Sequence, residues 1–179
     1  MFFSFDGIDD AIFAESVDSR DLVLLANGCL CCTAGDDLAL TLFQLTRRAD
    51  HRPRRIVVET TGLADPVPLL QKLMGDPRFR QATRLDALVA TIDAVSGLAN
   101  LESQAVAARQ SALADRRIIT KSDIAEAGAV EALTARLKAL NPSASVQTVS
   151  FGKIEADSLF GASLFNATTG RAELTRWLN

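Results

Sequence analysis

The sequence predicts an α/β fold, a mostly parallel β-sheet flanked by helices. Short apolar segments of strand composition alternate along the chain with segments that repeat apolar residues at helical spacing. The strand segments are apolar on both faces, which is typical of strands buried in a parallel sheet. Polar clusters follow directly after several of these strands, where ligands bind in sheets of this class. These observations predict both the architecture and the edge that carries the function.

The elements are predicted in a regular order. Pro66 suits the first turn of a helix, because that position does not need the amide hydrogen bond that proline lacks. Leu98, Leu101, Ala105 and Ala108 share one face at helical spacing and predict a single helix. The predicted strands are 21–26, 54–60, 85–92, 116–120 and 145–149, and the predicted helices are 35–48, 66–75, 98–108 and 126–140, with a helical turn at 174–178.

Composition and charge argue against several classes of protein. The 179 residues suffice for one domain, and a net charge of -3 lacks the strongly basic character of a nucleic-acid-binding protein. No apolar run reaches membrane-spanning length, and the amino terminus does not have the pattern of a secretory signal. The three cysteines lie within four positions, which does not fit a disulfide framework and favours a reducing compartment, so a cytoplasmic protein is expected.

The cysteines Cys29, Cys31 and Cys32 follow an Asn-Gly turn signal and predict a metal site. Neighbouring thiolates on a turn suit borderline or soft ions such as zinc. A tetrahedral site needs about four ligands, so a carboxylate, a water or a second subunit would complete it. A redox dithiol is the alternative interpretation, whereas His51 in a basic loop is not expected to be a ligand.

The segment TKSD at 120–123 follows an apolar strand and predicts guanine recognition. The Asp123 carboxylate can accept hydrogen bonds from both N1–H and the exocyclic amine of guanine, and the Lys121 stem can lie along the base. Adenine lacks this pair of donors, so the carboxylate would be left unpaired with the wrong base. A solvated turn or a helix N-cap is the alternative, because Ser and Asp are favoured in both.

Glu59 and Gly62 end the predicted strand 54–60 and are candidates for the phosphate side of a nucleotide site. A carboxylate at this place can reach a magnesium ion through water, and a glycine lets backbone N–H groups approach a phosphate. A strand end followed by a tight turn explains the same residues without a ligand. The segment alone leaves both interpretations open.

Four segments, taken together and in this order, resemble the CobW-like family of P-loop GTPases. They are GCLCC at 28–32, ETTGLADP at 59–66, a strand ending in IDA at 92–94, and TKSD at 120–123. The family is related to the GTPases that insert nickel during maturation of urease and hydrogenase. The resemblance covers 7–177, which is most of the chain.

The resemblance implies a metallochaperone domain, in which binding and hydrolysis of GTP, with magnesium, are coupled to delivery of zinc, cobalt or a similar ion to a client protein. A homodimer is a possible way of completing the metal site. Thr120 stands where many GTPases have Asn, a substitution that the family tolerates. By resemblance, the metal ligands are Cys29, Cys31 and Cys32, the catalytic carboxylate is Glu59, and Gly62, Thr120, Lys121 and Asp123 bind the nucleotide.

The chain departs from the family because it contains no GxxxxGK[ST] phosphate loop. The resemblance then implies a P-loop GTPase-like sheet without its first, central strand. We expect a truncated GTPase domain at 1–160 and, at 161–179, the start of a linker towards an absent C-terminal domain, with GTP hydrolysis lost. A pseudo-GTPase, a non-enzymatic thiolate metal relay and a thiol-redox module are the alternatives.

Overall fold

The computed structural model describes residues 34–47, 56–62, 64–77 and 85–160. The chain divides into two units, Met1–Arg84 and Leu85–Asn179, and each is described by itself. The predicted strand 21–26, the helical turn 174–178 and the expected linker 161–179 lie outside the described residues.

The described part of the first unit contains two helices, α1 (Ala34–Thr46) and α2 (Pro66–Gly75), and both were predicted. Helix α2 begins as the sequence indicates, with Pro66 in its first turn and the Asp65 side chain accepting a hydrogen bond from the Val67 N–H at 3.0 Å. This N-cap satisfies one of the amide groups that a helix start leaves without a partner. The helices bury a shared cluster of Leu38, Ala39, Leu42, Leu69 and Leu73.

The predicted strand 54–60 is wrong over its described part, because residues 56–60 form neither helix nor strand. Ile56 and Val58 pack against the helix cluster, whereas Val57 is 55% exposed. The segment therefore buries one face only. A strand needs a hydrogen-bonded neighbour, which apolar character alone does not supply. In the described part of the first unit no segment pairs with these residues.

The described part of the second unit is built on three strands, β1 (Val89–Asp93), β2 (Arg116–Thr120) and β3 (Ser145–Thr148), in the order β1-β2-β3. Both pairs are parallel, which confirms the predicted sheet type. In register, Asp93 lies opposite Thr120, and Ile119 lies opposite Thr148. The strand predicted at 85–92 runs from Val89 to Asp93, and the Leu88 carbonyl before it accepts the N–H groups of Asp115 and Arg116 at 2.8 and 3.2 Å.

The single helix predicted over 98–108 is in fact two helices, α3 (Gly97–Ser103) and α4 (Ala105–Leu113). Gln104 between them has an extended backbone, with φ −120° and ψ 109°. The Ser103 hydroxyl donates to the Ala99 carbonyl at 2.7 Å, a local bond of the kind that competes with helix continuation. Ala105, predicted to share one face with Leu98 and Leu101, is exposed.

Helix α5 (Ala129–Leu140) begins three residues later than predicted, because Gly128 has a left-handed φ of 82° that no helix accommodates. The last regular element among the described residues is a 3₁₀ turn, Ala156–Leu159. None of the helices in the described ranges is long and apolar enough to cross a membrane.

The core of the second unit lies between the sheet and helices α3 and α5. Ile119, Leu133 and Leu137 are completely buried there. Gly97 at the start of α3 allows the close approach, since a Cβ at this position would lie 2.6 Å from Ile92 Cγ2 and 3.3 Å from Leu133 Cδ2. This packing fixes the strands whose ends carry the candidate site.

Candidate functional site

The carboxyl ends of the three parallel strands meet at one edge of the second unit's sheet. The ladder continues just past the strands, because the Ala94 N–H donates to the Thr120 carbonyl and the Val149 N–H donates to the Ile119 carbonyl, both at 2.9 Å. The loops that begin here therefore start side by side. This is the edge at which ligands bind in parallel α/β sheets.

Lys121, the first residue after β2, reaches across to the end of β1. Its ammonium nitrogen lies 2.5 Å from Asp93 Oδ2, while its side chain remains 57% exposed. The Lys121 backbone is left-handed, with φ 55°, which is uncommon for a residue with a side chain. A turn closes behind it, where the Ile124 N–H donates to the Lys121 carbonyl at 3.3 Å.

Asp93 accepts hydrogen bonds both from Lys121 and from the backbone of the loop after β1. Its Oδ1 accepts the Val95 N–H at 2.7 Å and the Ser96 N–H at 3.4 Å. The hydrogen bond from Lys121 holds the pKa of the Asp93 carboxyl below its ordinary value, against the opposing effect of burial, and the two backbone N–H groups lower the pKa further. The carboxylate is thus charged and has partners on both oxygens.

Asp123 contrasts with Asp93, because it is exposed and the described chain provides no hydrogen bond or ion pair to its carboxylate. Thr120 is half-buried, and its hydroxyl donates to the Ile92 carbonyl at 3.5 Å, the limit of a hydrogen bond. The structure therefore brings Thr120, Lys121 and Asp123 together at the sheet edge, with one carboxylate open to solvent.

The sequence analysis missed the loop after β3, which lies against the TKSD turn. The Ser122 hydroxyl lies 3.2 Å from the Val149 carbonyl and 3.0 Å from the Ser150 hydroxyl. Phe151 follows with a left-handed φ of 54° and is 80% exposed, and Gly152 has φ 64°. The signal that could have found this loop is the run Ser150-Phe151-Gly152, a turn sequence directly after the last strand.

Glu59 and Gly62, the predicted phosphate-side residues, lie in the first unit. Glu59 is half-buried and Gly62 is exposed. The Ala64 N–H donates to the Thr61 carbonyl at 3.0 Å and closes a turn around Gly62. A Cβ at Gly62 would have no atom within 4 Å, and its φ is not left-handed. The turn itself therefore does not require glycine.

The predicted metal ligands Cys29, Cys31 and Cys32 lie outside the described residues. Within the described ranges there is no group of three or more His, Cys, Asp or Glu side chains placed to hold a metal ion. The metal site therefore stays a prediction from the sequence.

The described parallel sheet and its polar carboxyl edge define the class of an α/β domain that binds ligands at this edge. The family model of the CobW/HypB/UreG nucleotide-binding domain matches residues 3–148 of the chain. The chain belongs to this family, and the resemblance drawn from its four segments is confirmed.

Named relatives and a solved structure agree with this membership. The zinc chaperone YjiA of Escherichia coli (strain K12) is 33% identical over 161 residues, which cover 88% of this chain and 49% of YjiA. The zinc-regulated GTPase metalloprotein activator 1 of Schizosaccharomyces pombe is 30% identical over 147 residues, covering 79% of this chain and 35% of that protein. The chain thus spans about half the length of YjiA and about a third of the length of the S. pombe protein.

The crystal structure of Zn(II)-bound YjiA GTPase from E. coli matches this chain with a TM-score of 0.66 and 34% identity. The match covers 79% of this chain and 45% of that chain. The three-stranded parallel sheet with its helices therefore has the P-loop GTPase fold of YjiA, as the resemblance implied.

Proposed function

We propose that this chain binds guanine nucleotide at the carboxyl edge of the second unit and serves as the nucleotide-binding part of a zinc metallochaperone. The observation that carries the proposal is the TKSD turn, in which Lys121 is held by an ion pair while the Asp123 carboxylate stays open. The relatives named zinc chaperones support the metal part of the proposal.

Guanine recognition follows from the chemistry of these two side chains. The Asp123 carboxylate accepts hydrogen bonds from N1–H and the exocyclic amine, and the methylenes of Lys121 form an apolar surface for the base. An adenine nucleotide leaves the carboxylate without donors, which costs affinity because a charged acceptor loses its water without a replacement. The loop after β3 lies beside this turn and forms the neighbouring wall.

On the phosphate side we assign Gly62 and Glu59 to the nucleotide and its magnesium ion. The turn at Gly62 does not need glycine for its own geometry, so the absence of a side chain serves a ligand that approaches the backbone. A half-buried carboxylate such as Glu59 can bind magnesium through water.

The 179-residue chain by itself is not expected to accelerate GTP hydrolysis. It has no GxxxxGK[ST] sequence, whose lysine and hydroxyl offset charge on the phosphates in the transition state. We therefore expect this chain to bind guanine nucleotide without hydrolysing GTP faster than the background rate, so the proposed function is tested by measuring nucleotide binding.

The test is equilibrium binding of a fluorescent GDP analogue to the whole chain with magnesium, in competition with unlabelled GDP and ATP. We expect GDP, and not ATP, to displace the probe. Asp123→Ala should abolish binding, whereas the matched control Glu131→Gln, an exposed acid on α5, should not change it. Displacement by ATP and GDP alike would contradict guanine recognition.

For the metal, we assign Cys29, Cys31 and Cys32 as the ligands of the zinc cargo, with cobalt as the competing ion. Zinc titration of the reduced chain and of the triple Cys→Ser variant measures this, and the variant should lose tight binding. A client protein, a homodimer that completes the site, and a cytoplasmic setting belong to the same proposal.

A second candidate is a zinc relay without nucleotide use, which would rest on Cys29, Cys31 and Cys32 alone. Thiol-dependent zinc binding by a folded chain that has no guanine-nucleotide affinity would support this candidate over the first. Reversible disulfide formation without metal affinity would point instead to a redox module.

A further inference from the structure

Asp93 lies outside the TKSD turn, yet its carboxylate contacts that turn directly. Oδ1 accepts the N–H groups of Val95 and Ser96 and so fixes the carboxylate to the start of the loop after β1. Oδ2 accepts the Lys121 ammonium at 2.5 Å. The parallel register sets this meeting, because Asp93 lies opposite Thr120, the residue before Lys121.

The pair contributes little to folding. The Lys121 side chain is 57% exposed, and exposed ion pairs add about 0–1 kcal/mol to the free energy of unfolding. Its effect is geometric instead. A free lysine side chain samples many rotamers in water, whereas an ammonium held by a fixed carboxylate keeps the four methylenes of its stem in one arrangement.

A second effect concerns the charge on Asp123. Lys121 and Asp123 are two residues apart on the same turn, so an unrestrained Lys121 ammonium could pair with the Asp123 carboxylate. That pairing would occupy the group that reads guanine. The observed partner of Lys121 is Asp93, and the Asp123 carboxylate has no partner in the described chain.

We propose that Asp93 is a positioning residue for base recognition: it holds the Lys121 stem as a wall for the base and keeps the lysine away from Asp123. The proposal rests on the proposed function, since it concerns how the same site recognises guanine. Asp93 does not touch the nucleotide and acts only through Lys121.

The test is a double-mutant cycle of Asp93→Asn, Lys121→Met and the double variant, with Glu102→Gln as the control that removes one exposed acid from the same unit. Asparagine retains a side-chain oxygen for Val95 and Ser96 but not the negative charge, so Asp93→Asn separates the ion pair from the cap. Far-UV circular dichroism and thermal unfolding establish that each variant is folded.

The first readout is affinity for GDP and for IDP, whose base lacks the exocyclic amine that Asp123 accepts. Asp93→Asn should weaken GDP binding about 5- to 20-fold, a typical coupling for groups in contact. It should also bring the GDP/IDP affinity ratio towards one, because Lys121 then pairs with Asp123. In the double variant the loss should not add to that of Lys121→Met, and the ratio should recover because no ammonium competes for Asp123.

Unchanged GDP affinity in Asp93→Asn, or losses that add in the double variant, would overturn the proposal. A merely structural role for Asp93 would lower GDP and IDP affinity equally and leave the ratio unmoved.

The second readout needs no nucleotide. Acetylation of Lys121 by an activated ester, followed by mass spectrometry, should be slower in the wild-type chain than in Asp93→Asn, and Glu102→Gln should match the wild type. If the wild-type chain binds no guanine nucleotide, the proposed function fails while this readout still decides the positioning. Protection of Lys121 that Asp93→Asn removes supports the arrangement, and equal labelling rates refute it.

Discussion

The two ends of the second unit's sheet use cationic side chains in opposite ways. At the amino end, Arg117 of β2 is completely buried, and its guanidinium donates to the Leu137, Asn141 and Ala144 carbonyls. At the carboxyl end, Lys121 follows the same strand but is 57% exposed, with one carboxylate as its partner. The buried guanidinium joins three carbonyls inside the fold, although its Nε has no hydrogen-bond partner, whereas the ammonium of Lys121 is held by a single carboxylate and its side chain stays open to solvent.

The amino end is a buried polar network. The Arg117 guanidinium lies at the carboxyl terminus of α5, where the helix dipole stabilises a positive charge. Burial lowers the pKa of this guanidinium. Asn141 joins the same network, since its Nδ2 donates to the Ala112 carbonyl at 2.9 Å and its Oδ1 accepts the Ser143 N–H at 3.1 Å. The network ties β2, α5 and the start of β3 together.

The largest expected effect comes from breaking the amino end with Arg117→Met. The Asn141 and Ala144 carbonyls would lose their guanidinium donor, and the Leu137 carbonyl would keep only the Asn141 N–H. This should lower the free energy of unfolding of the second unit by about 3–5 kcal/mol. Urea unfolding followed by circular dichroism measures the loss. The exposed Arg136→Met is the matched control and should stay within about 0.5 kcal/mol of the wild type. A change of the same small size in Arg117→Met would contradict the contrast.

At the carboxyl end, Asp123→Asn should change ligand choice instead of stability. The asparagine oxygen can accept N1–H, but its amide nitrogen faces the exocyclic amine of guanine, donor against donor. We expect GDP affinity to fall about 100-fold and affinity for xanthosine diphosphate to rise, because xanthine offers an acceptor there. Competition binding measures both affinities. If Asp123→Asn shifted the unfolding midpoint as far as Arg117→Met does, residues at the two ends of the sheet would not differ in their contribution to stability, and the comparison would fail.

Gly97→Ala tests whether burial, and not the end of the sheet at which a residue lies, decides if that residue contributes to stability. Gly97 lies just past β1 at the carboxyl end, but its added methyl would meet Ile92 Cγ2 at 2.6 Å. We expect a loss of about 1–3 kcal/mol in the free energy of unfolding, as for an overpacked core. Gly75→Ala, which meets no atom within 4 Å, is the control in a thermal melt and should not destabilise the chain. An unchanged melt in Gly97→Ala would mean that α3 moves away without cost.

The smallest effect concerns pH and two aspartates at opposite ends. Burial raises the pKa of Asp115, so its ionised form is disfavoured in the fold above that pKa, and the penalty disappears below the unfolded value of about 3.8. Asp115→Asn keeps an acceptor for the Leu88 N–H and should add less than about 1 kcal/mol at neutral pH. The gain should vanish on acidification.

Asp93 should respond with the opposite sign, because the Lys121 hydrogen bond lowers its pKa. Its contribution to stability is present above the unfolded value and is lost as the pH falls through the lowered folded value. Unfolding curves of Asp115→Asn and Asp93→Asn between pH 7 and pH 3 compare the two. If both substitutions changed the free energy of unfolding at pH 7 in the same direction relative to the wild type, the result would contradict the two pKa directions.

The TKSD turn could be predicted from sequence because its signal is local. The apolar run predicted the strand, which is confirmed, and the guanine chemistry assigned to Thr120, Lys121 and Asp123 after it stays a prediction. The Asp93–Lys121 pair could not be predicted in this way. The two residues are 28 positions apart, and the register of β1 on β2 brings them together.

Other errors have the same origin. The apolar run at 56–60 has strand composition but no ladder in the described part of its unit, and the helix predicted over 98–108 breaks at Gln104. The loop after β3 could not be assigned to the site from sequence, because a single Ser-Phe-Gly turn does not indicate a neighbour. Only the folded chain brings Ser150 within hydrogen-bond distance of Ser122.

The sequence by itself determined the alternation of strands and helices, the four segments that identify the family, and the residue types that we propose for guanine and zinc. These depend on local spacing and on side-chain chemistry, which a linear chain displays directly. The tertiary structure decided which strands pair, which charges are buried, and that Asp93 holds Lys121 while Asp123 stays open. Hydrogen-bonded pairing and burial join residues distant in the chain, so only the folded arrangement sets their outcome.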